Sequence, residues 1–160
     1  MRGEYPDGTG VKRPDFMGLA LDEARAAGQR GEVPIGAVLT DGETVVARAG
    51  NRTRELADAT AHAEILVIRE ASARLAAERL SGLDLYVTLE PCTMCAAAIS
   101  FARLRRLYFG TADPKGGGVV SGVRFFAQPT CHHAPEVYGG IAETESAAIL
   151  RGFFQEKRES

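Results

Sequence analysis

The stretch Leu83-Asp84-Leu85-Tyr86-Val87-Thr88-Leu89-Glu90-Pro91-Cys92-Thr93-Met94-Cys95 reads as a buried strand running into a helix. Residues 83–89 form a nearly unbroken apolar run, as in strands covered on both faces of a sheet. Pro91 suits a first helical position, where its missing N–H costs nothing. Residues 92–102 then read as the helix. A strand buried on both faces needs cover on each side, which points to an α/β architecture.

Outward from this segment the periodicity alternates. Phe16, Leu19, Ala20, Ala24 and Ala27 fall at helical spacing, and Gly28 with Gly31 ends that helix. Residues 33–40 and 44–49 read as two strands around Asp41-Gly42, a hairpin signal. Thr60 stands as N-cap for a helix carrying Ile65, Leu66 and Ile68. Beyond the central segment come a strand over 104–109 and a C-terminal helix over 143–157. The order α-β-β-α-β-α-β with a late helix predicts one mixed sheet between helical layers. A polar, glycine-rich tail over 1–13 precedes a single domain over 14–160.

Chemistry concentrates in two short motifs. His62-Ala63-Glu64 opens one helix, and Pro91-Cys92-Thr93-Met94-Cys95 opens the next. Imidazole and thiolate are the ligands Zn²⁺ prefers, and three protein ligands plus a water make a catalytic site. His62, Cys92 and Cys95 supply the three. Glu64, two residues after His62, is placed to work on the water rather than bind metal. Cys92 and Cys95 are three apart on one helical face, near an N-terminus whose partial charge favours thiolate. A lone CxxC would be weak evidence; the HxE paired with PCxxC is strong.

These motifs resemble those of the zinc-dependent nucleobase deaminases. Further runs are similar, in order, to bacterial tRNA adenosine deaminases: Glu32-Val33-Pro34-Ile35-Gly36-Ala37-Val38, Gly50-Asn51-Arg52, Thr60-Ala61-His62-Ala63-Glu64-Ile65, Leu85 through Cys92, and Phe109-Gly110. The similarity covers roughly residues 14–158 and fades over 116–140. The resemblance implies a three-layer α-β-α, cytidine-deaminase-like fold with a mixed sheet of about five strands. It implies one zinc per subunit, a homodimer, and hydrolytic conversion of a tRNA wobble adenosine to inosine. Asn51 would read the purine edge with its amide, Ala63 would offer a backbone N–H, and Pro34 and Ile35 would floor the pocket. Asp113 and Lys115 would touch ribose and phosphate of the anticodon stem-loop, and His133 would lie near the target nucleotide.

Other readings stand beside these. Asn51 is also a plain turn residue, and Pro34-Ile35 ordinary strand packing. Pro91 to Cys95 could form a thioredoxin-like redox pair, and Cys131, His132 or His133 could close a structural zinc site. His132 and His133 are equally readable as loop residues. Deamination of free guanine or cytosine uses the same motif. Gly116-Gly117-Gly118 lacks the GK[ST] ending of a P-loop, so no nucleotide cofactor is expected. Arg103, Arg105 and Arg106 form either a solvated face or an RNA patch. Ala96, Ala97, Ala98, Ile99 and Phe101 offer more apolar surface than one helix face needs, consistent with a dimer.

Composition adds bounds. The formal net charge of −2 over 160 residues gives no global field for nucleic acid, so RNA contacts must be local. No run approaches the ~18 apolar residues of a membrane span. Three cysteines, two of them in the CxxC, argue against a disulfide framework and for a reducing cytoplasm.

Overall fold

The computed structural model describes the backbone of residues 2–4 and 12–159, and the side chains of 14–158. The tail over 1–13 lies partly outside these residues. Its described parts, β1 (Arg2–Glu4) and β2 (Lys12–Pro14), pair antiparallel as a separate ribbon.

Helix α1 (Phe16–Gln29) begins at Asp15, whose carboxylate accepts the Gly18 N–H at 2.9 Å. It ends before Gly31, which adopts φ +86°. Its buried face is Phe16, Met17, Ala20, Leu21, Ala24 and Ala27. Burying each of the larger side chains contributes about 1.5–3 kcal/mol. Strands β3 (Gly36–Asp41) and β4 (Thr44–Gly50) form the expected hairpin. Pairing starts three residues later than the pattern predicts. Pro34 has no N–H for a ladder, and Ile35 turns its own back to the Val33 carbonyl at 2.8 Å.

The remaining elements are α2 (Ala63–Leu75), β5 (Asp84–Leu89), α3 (Thr93–Phe101), β6 (Arg106–Thr111), β7 (Glu136–Tyr138) and α4 (Glu143–Glu159). The sheet order is β4-β3-β5-β6-β7, with β3 antiparallel to both neighbours and β5, β6 and β7 parallel. Alternation along the strands sorts the core. Ala37, Leu39, Leu85, Val87, Leu107 and Phe109 pack on the α2/α3 side, while Val38, Tyr86 and Tyr108 pack with Phe16 and Met17 of α1. Helix α4 packs on β6 and against α1. The three-layer α-β-α fold with five strands is therefore as expected.

Two local differences have simple causes. Strand β6 begins at Arg106 rather than 104, because Arg103 turns the chain at φ +61°. The three-residue β7 follows Pro135 and is too short to show a period. Two of the three arginines in the basic cluster are spent within the fold. Arg105 forks onto buried Asp84 at 2.6 and 3.0 Å, and Arg106 pairs with Glu136 at 2.6 Å. These pairs pin the start of β6 to β5 and β7.

Candidate active site

Strand β5 delivers Glu90-Pro91-Cys92 at its carboxyl end, and β6 delivers Thr111 to Asp113 beside it. Above these ends stand the N-termini of α2 and α3. The N-caps are His62 and Cys92 themselves, so each motif begins one or more residues ahead of the helix proper. Thr60 is not the cap that the sequence suggests. Its N–H and hydroxyl are both taken by the Asp58 carboxylate, at 2.8 and 2.7 Å.

His62 Nδ1 lies 3.7 Å from Cys92 Sγ and 3.5 Å from Cys95 Sγ. A tetrahedral angle of about 109° between Zn–N and Zn–S bonds of about 2.1 and 2.3 Å separates N from S by about 3.6 Å. The donor set and spacing thus fit a single metal ion. The three side chains form the metal-competent cluster among the described residues. Cys131 stands elsewhere, its Sγ donating to the His133 carbonyl at 3.2 Å. The Cys95 thiol beside Cys92, with burial opposing and His62 assisting, pulls the Cys92 thiol down to about 4. Cys95 is pushed up in return, by that shared proton and by burial. A ready thiolate is what metal capture requires.

Glu64, in the first turn of α2, is 4% exposed. Burial pushes its carboxyl up, against its own backbone N–H and His62, which pull it down. A carboxyl raised above its ordinary range is a better proton acceptor than an exposed glutamate. Asn51 is also buried, and its Oδ1 accepts the Ala63 N–H at 2.8 Å. That bond does the capping that Thr60 does not. It engages the Ala63 N–H expected to face a base, and it leaves the NH₂ as the donor end of the Asn51 side chain.

A cavity of about 930 Å³ opens beside His62, the one member of the metal cluster that lines it. Ile35, Asn51, His62, Asp113 and Lys115 line it, as do Leu150, Arg151, Phe154, Lys157 and Arg158 of α4. Its rim carries four cations, Lys115, Arg151, Lys157 and Arg158, against the single carboxylate of Asp113. Three expected substrate residues do not line it: Ala63 is fully buried with its N–H on Asn51, and two others lie elsewhere. Pro34 faces a separate cavity with Gly28 and α4 residues Ile149 and Gly152. His133 sits at the opposite end of β6, its Nε2 2.7 Å from the Leu104 carbonyl. His132 is exposed on the same loop.

Sequence reasoning missed two buried carboxylates. Glu32 accepts the N–H groups of Arg54 and Glu55 at 3.1 and 2.8 Å, holding the loop after Asn51. Glu90 accepts those of Asp113, Val119, Val120 and Ser121, holding the loop that carries Lys115. Glutamates beside motif residues were the only signal, and in sequence they look like surface charges. On α4 the sequence offers Arg151 and Lys157 as further RNA contacts, and both line the cavity; Leu150 and Phe154 escaped because their stripe reads as any amphipathic helix.

A His-Cys-Cys metal cluster with a buried glutamate beside it, on two helix N-termini above a mixed sheet, defines a zinc-deaminase type of site. The family model for MafB19-like deaminases matches residues 12–158. The tRNA-specific adenosine deaminase of Agrobacterium fabrum is 73% identical, over 92% of this chain and 97% of that protein. A solved structure from work on A-to-I editing by tRNA:A34 deaminases is 73% identical, covering 86% of this chain and 100% of its own, with a TM-score of 0.85. A guanine deaminase from Nitrosomonas europaea, at 23% identity, shares the fold with a TM-score of 0.76, over 86% of this chain and 82% of its own. The chain belongs to the tRNA-specific adenosine deaminase family.

Proposed function

We propose that this protein hydrolytically deaminates the wobble adenosine of a tRNA anticodon to inosine, with zinc held by His62, Cys92 and Cys95. The observation that carries the reading is 73% identity to a tRNA-specific adenosine deaminase across nearly its full length. The cationic rim supports it, because it gathers positive charge at one opening of a chain whose net charge is −2.

Zinc, when bound, would lower the pKa of a water from about 15.7 towards ~7. The remaining work falls to side chains. Buried Glu64 takes one proton of the water and gives it to a ring nitrogen. It then takes the second proton from the newly added hydroxyl, as that oxygen becomes the carbonyl, and passes it to the departing amine. Water adds at the carbon bearing that amine, and ammonia leaves. Asn51, its oxygen fixed by Ala63, presents NH₂ to an acceptor on the purine edge, above an apolar floor that includes Ile35. Asp113 and Lys115, with Arg151, Lys157 and Arg158, hold flanking ribose and phosphate. A duplex hides the amine, whereas an anticodon loop offers splayed bases.

Remote contacts of this kind accelerate reaction by fixing the target base for attack. An anticodon stem-loop with a wobble adenosine is therefore expected to react at least ~10³-fold faster, in kcat/KM, than free adenosine. Each rim cation neutralising a phosphate contributes a slope of about −0.7 to log K against log salt, so four give about −3. Equal use of adenosine, or no salt dependence, would contradict the proposal.

The same reading includes a homodimer in the cytoplasm. No described helix is long and apolar enough to cross a membrane. On α3, Ala96 and Ile99 are buried, but Phe101 is 75% exposed beside a hollow lined by Ile68, Ala98 and Ala102 and by the charged Glu78, Arg79 and Arg103. An aromatic ring so exposed suits cover by a second copy. Sedimentation should show a dimer at micromolar concentration; a monomer contradicts this part.

A further inference from the structure

We infer that the buried Glu90 carboxylate is a positioning residue for substrate, holding the Asp113–Lys115 edge of the cavity through one oxygen and the glycine-rich turn through the other. The inference deepens the RNA-deaminase reading above and rests on it. Glu90 is 2% exposed, at the end of β5 and two residues before Cys92. Its Oε2 accepts the N–H groups of Val119, Val120 and Ser121, at 3.0, 2.9 and 2.9 Å. Its Oε1 accepts the Asp113 N–H at 2.9 Å and the Ser121 hydroxyl at 2.9 Å. Asp113 Oδ1 in turn accepts the N–H groups of Lys115 and Gly116, at 3.2 and 3.1 Å. The chain of bonds runs from Glu90 through Asp113 to Lys115, and Lys115 lines the cavity.

The other branch faces the cysteines. Gly118 donates to the Pro91 carbonyl at 2.8 Å, and Gly117 bridges to Cys92. The loop backbone lies directly on the carboxylate: a Cβ at Gly117 would stand 2.4 Å from Glu90 Cδ. Every partner of Glu90 is thus a donor, and the two oxygens serve different edges of the site.

That division makes glutamine a selective probe. Its one oxygen can face the three N–H groups of residues 119–121, which leaves its NH₂ against Asp113. The Ser121 hydroxyl can rotate to accept, but the Asp113 N–H cannot. Glu90→Gln should therefore release the Asp113–Lys115 edge while sparing the turn beside Cys92.

The test is steady-state kinetics on an anticodon stem-loop for wild type, Glu90→Gln, Lys115→Ala and the double variant, with zinc measured per chain. Glu90→Gln is expected to raise KM about tenfold with kcat within about threefold and zinc retained, the loss of one hydrogen bond to a charge. Because Glu90 acts through Lys115, the double variant should have a KM close to that of the worse single variant. A lost zinc, a fall in kcat at unchanged KM, or multiplicative KM effects would overturn the inference. Should Glu90→Gln fail to fold, Gly117→Ala crowds the carboxylate directly and should raise KM similarly; a wild-type KM there overturns it too. Wild-type turnover of the stem-loop separates the two readings. Its absence overturns the functional proposal, whereas turnover with unchanged KM in Glu90→Gln overturns this inference alone.

Discussion

Glu64→Gln is expected to leave zinc content and RNA affinity near wild type and to lower kcat by ~10³-fold or more. The amide keeps the shape of a side chain that is 4% exposed, so the α2 helix and the His62 cap need not move. It cannot take a proton from water, and it cannot return one to the leaving amine. One carboxylate is proposed for every transfer, so its loss stops each step rather than slowing one. Burial is what suits Glu64 to both roles, by lifting its carboxyl above the usual range. Single-turnover kinetics beside a binding isotherm would measure this split. A variant within tenfold of wild type would remove Glu64 from the chemistry.

Cys92→Ser should lose both metal and activity. Serine offers a neutral hydroxyl where Cys92, drawn down to about 4, offers a thiolate. Zinc per chain should fall from one towards zero, with activity following it below detection. Cys131→Ser is the control, because that sulfur lies against Ser100 and the His133 carbonyl rather than His62. Metal analysis and absorption spectroscopy of the cobalt-substituted protein would read both. Metal retained in Cys92→Ser, or lost in Cys131→Ser, would move the site to other ligands.

The parts of this structure that were legible in sequence are those where local pattern and tertiary role agree. Alanines at helical spacing announced α1, and an apolar run announced β5; Pro91 is not the first helical residue expected, since Cys92 is the cap and α3 starts at Thr93. The metal cluster was legible because its residue types have few other uses at that spacing. What stayed hidden depends on contacts across the chain. Asn51 caps α2 from a strand end twelve residues earlier, which displaced Thr60 from the role its type predicts. His133 resembles a substrate residue but spends its ring on the Leu104 carbonyl, at the far end of β6. Glu90 is a charged residue of a type almost never fully buried without partners, and nothing local to it in sequence names those partners. Only the fold supplies the backbone donors that make its burial tolerable.

Net charge was a poor guide for a related reason. A total of −2 averages over the molecule, whereas the cavity gathers four cations from a loop and the C-terminal helix. Lys115, Arg151 and Lys157 are each readable in sequence as RNA contacts, but only the fold gathers them with Arg158 at one opening.

The most direct measurement digests bulk tRNA after incubation with the zinc-loaded protein and locates inosine by mass, with free guanine, cytosine and adenosine assayed in parallel. The account predicts inosine at the anticodon wobble position, with negligible turnover of the free compounds. Rapid deamination of guanine or cytosine with tRNA left unmodified would contradict it.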